Sequence, residues 1–210
     1  MAKKILKENY IYMIVILSII VILTIIMKSP LHENIMAFDN IVINFIKSIH
    51  EEHLTALFKV LTYFGDFYIP FLILLCILIF HNNRWVFILQ ACSYGFAGVL
   101  TYIAKLIVAR PRPLEALINM PKTFSFPSGH TLTSFVFYMT LFYLLSYKKA
   151  NELKTLEKIG IIASLLIACS RVYLGVHYFS DVIGGLLIAI PCTLMIRNII
   201  HKHFDKKLLS

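Results

Sequence analysis

The chain has 210 residues, of which 59% are hydrophobic and 15% are charged, and its mean hydropathy is +0.80. An ordinary soluble domain is about 45–50% apolar and about 25% charged. The composition therefore excludes a disordered chain, most soluble enzymes and a nucleic-acid-binding domain with a basic surface. The net charge of +9 fits a membrane protein, whose cytoplasmic loops are rich in lysine and arginine.

Six apolar runs follow one another along the chain, and each is long enough for a membrane-spanning helix. The predicted spans are residues 10–27, 54–80, 86–108, 130–147, 159–175 and 182–200, with boundaries that are approximate. No cleavage site of small residues follows the first run, so we interpret it as a retained signal-anchor helix. We expect an all-α fold, a six-transmembrane-helix bundle that forms one membrane-embedded domain over residues 1–210.

Three segments depart from this simple pattern. Residues 31–52 are mixed in polarity and predict a short amphipathic helix near the membrane interface. Gly65 and Asp66 interrupt the second run, as does Pro70, so its outer part is expected to be bent or separate. Residues 148–158 predict a basic turn before the fifth span.

The distribution of positive charge predicts the orientation in the cell membrane. Six spans place both termini on one side. With that side in the cytoplasm, twelve of the 20 lysines and arginines lie inside, Lys148 and Lys207 among them, and eight lie outside. The positive-inside rule therefore favours cytoplasmic termini.

Ionisable residues cluster at the predicted outer ends of the last four spans. They are Lys105 and Arg112 near the end of the third, His130 at the start of the fourth, Arg171 and His177 near the end of the fifth, and Asp181 at the start of the sixth. Ionisable groups at membrane depth are costly and indicate a functional site. We expect these six side chains to converge at the outer face.

The residue types indicate an anionic substrate. Arginine presents a planar fork that fits phosphate oxygens, and Ser128-Gly129-His130 opens a helix whose free N–H groups form an anion site. His177 and Asp181 are four residues apart, a spacing that lets the carboxylate hold one imidazole nitrogen and leave the other nucleophilic. His130 would then protonate a leaving oxygen. Spacing alone does not decide which of the two histidines is the nucleophile.

No group of histidine, cysteine and carboxylate residues has metal-binding spacing. The cations are therefore expected to stabilise the transition-state charge without a metal or another cofactor. Arg110 and Lys122 are interpreted as loop charges that help to attract an anion, and Asp66 as an interfacial loop residue.

Three motifs carry a family resemblance. Lys105 with Arg112-Pro113 reads KxxxxxxRP, residues 127–130 read PSGH, and residues 170–181 read SRxxxxxHxxxD. In this order and spacing they resemble the type 2 phosphatidic acid phosphatase superfamily. The six-helix layout extends the resemblance to most of the chain.

The resemblance implies a role for each matched residue. His177 would attack phosphorus and become a phosphohistidine, Asp181 would orient it, and His130 would protonate the leaving group. The residues that would hold the phosphate oxygens are Lys105, Arg112, Ser128, Gly129 and Arg171. The resemblance also implies that no metal ion is needed.

The sequence thus predicts a membrane phosphatase that hydrolyses a lipid phosphate monoester or pyrophosphate at the outer leaflet. Phosphatidylglycerol phosphate, phosphatidic acid and undecaprenyl pyrophosphate all fit. A lipid-linked phosphotransferase with the same phosphohistidine is the serious alternative. The high hydropathy disfavours a soluble haloperoxidase, and the His177–Asp181 pair disfavours a non-catalytic transporter or scaffold. No nucleic-acid partner is expected.

Overall fold

The computed structural model describes residues 2–147 and 149–206, and in this part of the chain there are eight helices and no strand. The helices are α1 (Ala2–Lys28), α2 (Leu31–Ser48), α3 (Glu52–Tyr63), α4 (Tyr68–Phe80), α5 (Arg84–Val108), α6 (Gly129–Leu145), α7 (Ala150–Tyr173) and α8 (Phe179–Lys206). Lys148 and Lys207, which enter the positive-inside count, lie outside the described residues.

Helix α6 is the centre of the bundle and packs against α5, α7 and α8. It is apolar on all sides, as expected for a helix with neighbours all round. Its Leu132, Val136 and Phe137 are completely buried. The four helices that carry the motifs therefore form one packed unit.

Large apolar side chains cover the outward faces of α1, α4 and α5. Val21, Phe80 and Val99 are 56%, 79% and 60% exposed. Soluble monomers rarely expose apolar surface on this scale. The outer surface of the bundle is therefore suited to contact with lipid tails.

Each predicted span coincides with a helix, or with a pair of helices in the case of residues 54–80. By length and composition, Glu8–Lys28, Arg84–Val108 and Phe179–Phe204 are able to cross a membrane, and α3 with α4 would form a fourth span. Helix α6 is apolar but has only 17 residues, and α7 begins with a charged segment. The all-α fold is confirmed, whereas the count of six spans stays a prediction.

At two places the helices differ from one uninterrupted helix per predicted span. The second run is divided into α3 and α4, which meet at an angle of 43° around Gly65 and Asp66, as the interruption there predicts. The basic turn expected at residues 148–158 is wrong from Ala150 onward, because α7 already begins there. Glu, Leu and Lys dominate that segment, and all three are good helix formers.

Two loops at one end of the bundle, residues 109–128 and 174–178, pack against each other. The N–H of Leu117 donates to the carbonyl of Leu174 at 3.0 Å. Gly175 has a φ of +71°, and a Cβ there would lie 2.4 Å from a carbonyl oxygen of the other loop. Only glycine fits this position without strain, and the contact brings the two loops together at the ends of α5 and α7.

Candidate active site

The predicted nucleophile and its carboxylate partner meet at the start of α8. His177 Nδ1 lies 3.3 Å from Asp181 Oδ2, and the two side chains are 2% and 0% exposed. The same oxygen accepts hydrogen bonds from Ser125 Oγ and from the Tyr178 N–H at 2.9 Å. Two donors besides the imidazole therefore hold Asp181 in one orientation.

The other imidazole nitrogen of His177 faces the phosphate-binding candidates. Arg112 Nη1 lies 3.3 Å from His177 Nε2. A guanidinium has only donors, so Nε2 is the acceptor and the proton resides on Nδ1 beside Asp181. Burial lowers the pKa of His177 to about 3 even though the carboxylate of Asp181 raises it. The imidazole is therefore neutral at physiological pH, and Nε2 carries the lone pair that a nucleophile needs.

Lys105 and Arg112 are held by backbone carbonyls of the two packed loops. Lys105 Nζ donates to the carbonyl oxygens of Phe124 and Ser125, the latter at 3.1 Å. Arg112 Nη1 donates to the carbonyl of Val176 at 2.6 Å. Neither cation forms a salt bridge among the described residues. No carboxylate in the described part of the chain therefore competes with an anion for either side chain.

Arg171 and His130 line a cavity of about 570 Å³ together with Thr62 and Asp66. Arg171 Nη1 donates to Thr62 Oγ1 at 2.5 Å, and its buried Nε has no partner among the described residues. His130 lies within electrostatic reach of His177, Arg112 and Lys105. The cavity and the His177 cluster are therefore neighbouring parts of one site.

Ser128 and Gly129 lie where the PSGH motif enters α6. Ser128 is the residue before the helix, its N–H donates to the Asp181 carbonyl at 3.0 Å, and its Oγ accepts a hydrogen bond from Thr131 at 2.9 Å. A Cβ at Gly129 would lie 3.8 Å from Lys105 Cε. The start of α6 is thus placed beside Lys105. Phosphate binding by Ser128 and Gly129 stays a prediction.

The interpretation of Arg110 as a loop charge is wrong. Its side chain is only 2% exposed and forms salt bridges to Asp181 and to Asp39 of α2. The sequence held a signal for this pair, because Asp39 lies in the apolar stripe of α2 between Ile35 and Ile43. A carboxylate in such a stripe needs a buried partner. Ser125, which contacts both His177 and Asp181, had no comparable signal.

In the described part of the chain, no three residues of the His, Cys, Asp and Glu types are grouped so as to hold a metal ion. Metal-independent chemistry stays a prediction that needs an experiment.

Comparison with known proteins agrees with the motifs. The family model of the PAP2 superfamily matches residues 86–205. Phosphatidylglycerophosphatase B of Bacillus subtilis (strain 168) is 26% identical over 190 residues, which cover 87% of this chain and 91% of that protein. Undecaprenyl-diphosphatase BcrC of the same organism is 32% identical over 158 residues, with coverage of 69% and 76%.

A solved structure shows the same fold. The crystal structure of a transmembrane PAP2 type phosphatidylglycerolphosphate phosphatase from Bacillus subtilis superimposes with a TM-score of 0.79. The match covers 92% of this chain and 96% of that one at 24% sequence identity. The prediction of a phosphatase is confirmed at the level of the enzyme class. By the extent of the family match and by its relatives, this chain belongs to the PAP2 superfamily.

Proposed function

We propose that this protein is a membrane enzyme that hydrolyses the phosphate monoester or pyrophosphate of a lipid through a phosphohistidine at His177. The observation that carries the proposal is the geometry of His177, whose Nδ1 faces Asp181 while Nε2 faces Arg112. A neutral imidazole held in this way has its lone pair directed at the cations that would bind a phosphate. The proposal treats residues 1–210 as one domain.

In the first half-reaction, Nε2 of His177 forms a bond to phosphorus and the bond from phosphorus to the leaving oxygen breaks. His130 donates a proton to that oxygen. Asp181 stabilises the positive charge that develops on the imidazole ring. Lys105, Arg112 and Arg171 neutralise the charge on the three remaining phosphate oxygens, which is greatest in the transition state.

In the second half-reaction, a water molecule attacks the phosphohistidine. His130, now the base, removes a proton from the water while the phosphorus–nitrogen bond breaks. The products are inorganic phosphate and neutral His177, so each group returns to its starting state. A transferase would differ only in using an alcohol or phosphate acceptor in place of water.

The proposed orientation places this site at the outer face of the cell membrane. The ends of α5 and α7 and the starts of α6 and α8 lie on the same side of the bundle, where the two packed loops carry the site. Six spans with cytoplasmic termini would place that side outside, and the excess of lysine and arginine in the opposite loops supports this orientation.

The proposed substrates are phosphatidylglycerol phosphate, undecaprenyl pyrophosphate and phosphatidic acid. The names of the relatives, a phosphatidylglycerophosphatase and an undecaprenyl-diphosphatase, favour the first two. An apolar helix surface beside a polar cavity suits a lipid whose phosphate leaves the bilayer while its tails remain in it.

The test is phosphate release by the purified protein in detergent with EDTA, with the three lipids assayed side by side. We expect metal-independent release from at least one of them. His177→Ala should abolish turnover, because that side chain forms the covalent bond. His50→Ala is the control, since this histidine lies outside the proposed site.

Release that requires an added divalent ion would contradict the metal-independent mechanism. More than trace activity in a pure and folded His177→Ala sample would contradict the assignment of the nucleophile. No release without an acceptor, followed by turnover when a lipid or sugar acceptor is added, would favour the phosphotransferase.

A further inference from the structure

Arg110 joins two buried carboxylates that come from distant parts of the chain. Its Nη1 donates to Asp181 Oδ1 at 2.6 Å, and its Nη2 donates to Asp39 Oδ2 at 2.8 Å. The guanidinium also lies over the ring of Tyr178 at 4.1 Å. All three charged side chains are at most 2% exposed, so the group is a buried network rather than a surface salt bridge.

The network occupies the side of Asp181 that does not face the histidine. Oδ1 is bound by Arg110, and Oδ2 is left for His177 and Ser125. The carbonyl of Arg110 also accepts the N–H of Ser125 at 2.8 Å. Arg110 therefore supports the histidine–carboxylate pair in two ways, by its side chain and by its backbone.

Asp39 connects this network to α2. Its Oδ1 accepts the N–H of Ser180 at 2.9 Å, and its Oδ2 accepts the Ser180 hydroxyl at 2.5 Å. Ser180 lies in the first turn of α8, one residue before Asp181. Asp39 is also the buried residue of α2, so a charged side chain makes the contact between this helix and the site.

We propose that Arg110 and Asp39 are positioning residues of the reaction, which hold Asp181 ionised and turned so that Oδ2 faces His177. The inference rests on the proposed phosphatase function. It adds that α2 has to be docked through Asp39 for the enzyme to be fully active.

Charge balance supports a role beyond packing. Two adjacent buried carboxylates would repel each other, and one of them would take up a proton if no cation lay between them. A protonated Asp181 would not stabilise the imidazole when it gains positive charge. Arg110 prevents this, because one guanidinium neutralises both carboxylates through separate nitrogens.

The test compares kinetics of Arg110→Gln, Asp39→Asn and the double variant with those of the wild type. We expect Arg110→Gln to lower kcat about 100-fold with little change in KM, because a misplaced catalytic group has an effect of this order. Asp39→Asn should lower kcat less, since Arg110 still reaches Asp181. The double variant should be more active than Arg110→Gln, because it buries one carboxylate fewer.

The matched control is Arg197→Gln. Arg197 also forms a salt bridge, to Glu157 at 2.6 Å, and also lies over a tyrosine, Tyr143, at 4.4 Å. It joins α7 to α8 away from the site. We expect wild-type kcat in this variant, whatever its thermal stability.

A second measurement tests the inference without an activity assay. The ring nitrogens of His177 are followed by NMR as the pH is changed in detergent. The charged and titratable groups around this ring are Asp181, Arg112, Lys105 and His130, and none of them is altered in the variants. Loss of the Arg110 cation should move the titration of His177 to lower pH, because Asp181 then takes up a proton and no longer stabilises the charged imidazole. Asp39→Asn keeps Arg110 on Asp181 and should move the titration less.

Wild-type kcat in both single variants, or equal titrations of His177 in all of them, would overturn the inference. If Arg110→Gln does not fold, Asp39→Asn and the double variant still decide it. A wild type that releases no phosphate from any lipid would contradict the proposed function, and the NMR titration would then test the inference independently.

Discussion

Arg171 shows what a guanidinium contributes that another cation cannot. It lies at the end of α7, where Nη1 donates to Thr62 Oγ1 at 2.5 Å and the side chain borders the cavity that His130 also lines. Its buried Nε has no partner among the described residues. A planar fork with an unused donor is suited to a phosphate oxygen.

We therefore expect Arg171→Lys to be severely impaired although it keeps the charge. Lysine is a point charge and offers no second donor in a fixed direction. Loss of a transition-state donor lowers kcat about 100-fold or more. The measurement is kcat and KM with the preferred lipid in detergent.

Arg197→Lys is the control for this change, because Arg197 bonds Glu157 outside the site. Its kinetics should match those of the wild type. Near-normal kinetics in Arg171→Lys would show instead that Arg171 supports the packing of α3 on α7.

At the residue scale, the motifs predict contacts within the site. The motif at residues 170–181 groups His177 with Asp181, and the structure places them 3.3 Å apart. No motif groups Arg110 with Asp39, because these residues are 71 positions apart in the chain and only the packing of α2 brings them together. A lone arginine in a loop resembles any solvated charge until its partner is known.

At the scale of elements, α8 packs closely on the loop that leads into α6. A Cβ at Gly184 would lie 2.3 Å from Phe126 Cζ and 2.4 Å from Cε2. Phe126 is 1% exposed and lies next to Ser125, which contacts Asp181. Gly184 thus allows the loop at Phe126 to pack directly against α8.

Gly184→Ala should therefore lower both stability and activity. Overpacking of a tight contact destabilises by about 1–3 kcal/mol, and displacement of Phe126 would move Ser125 away from Asp181. The measurements are the thermal unfolding midpoint in detergent and kcat.

Gly95→Ala is the matched control in α5, since nothing lies within 4 Å of a Cβ built there. Its midpoint should equal that of the wild type or exceed it, because alanine favours a helix. Equal midpoints in the two variants would contradict the close packing at Gly184.

Helix type and order could be predicted because long apolar runs leave few alternatives. The start of α7 at Ala150 could not, since a charged segment with high helix propensity resembles a basic turn when only hydropathy is considered. The packing of α2 was not predictable either. Its amphipathic pattern suits a membrane surface as well as a protein surface. Only the contact of Asp39 with Arg110 shows that α2 packs on the protein.

At the scale of the whole molecule, the site and the charged start of α7 lie at opposite ends of the bundle. The loop with Lys122 belongs to the end that holds Arg112, whereas Lys154 lies in the early turns of α7, far along the helix from Arg171. Both lysines are exposed. They are therefore suitable reporters for the two sides of the membrane.

The predicted orientation is tested by placing single cysteines at these positions after the four native cysteines are replaced by alanine. A membrane-impermeant maleimide added to intact cells should label Lys122→Cys, and it should label Lys154→Cys only after the cells are permeabilised. The physical reason is the excess of positive charge in the loops on the Lys154 side, which retains them in the cytoplasm. The reverse pattern would place the site inside the cell, and labelling of both positions in intact cells would contradict a helix α7 that crosses the membrane. Retained phosphatase activity in the cysteine-free protein is the control that its fold is unchanged.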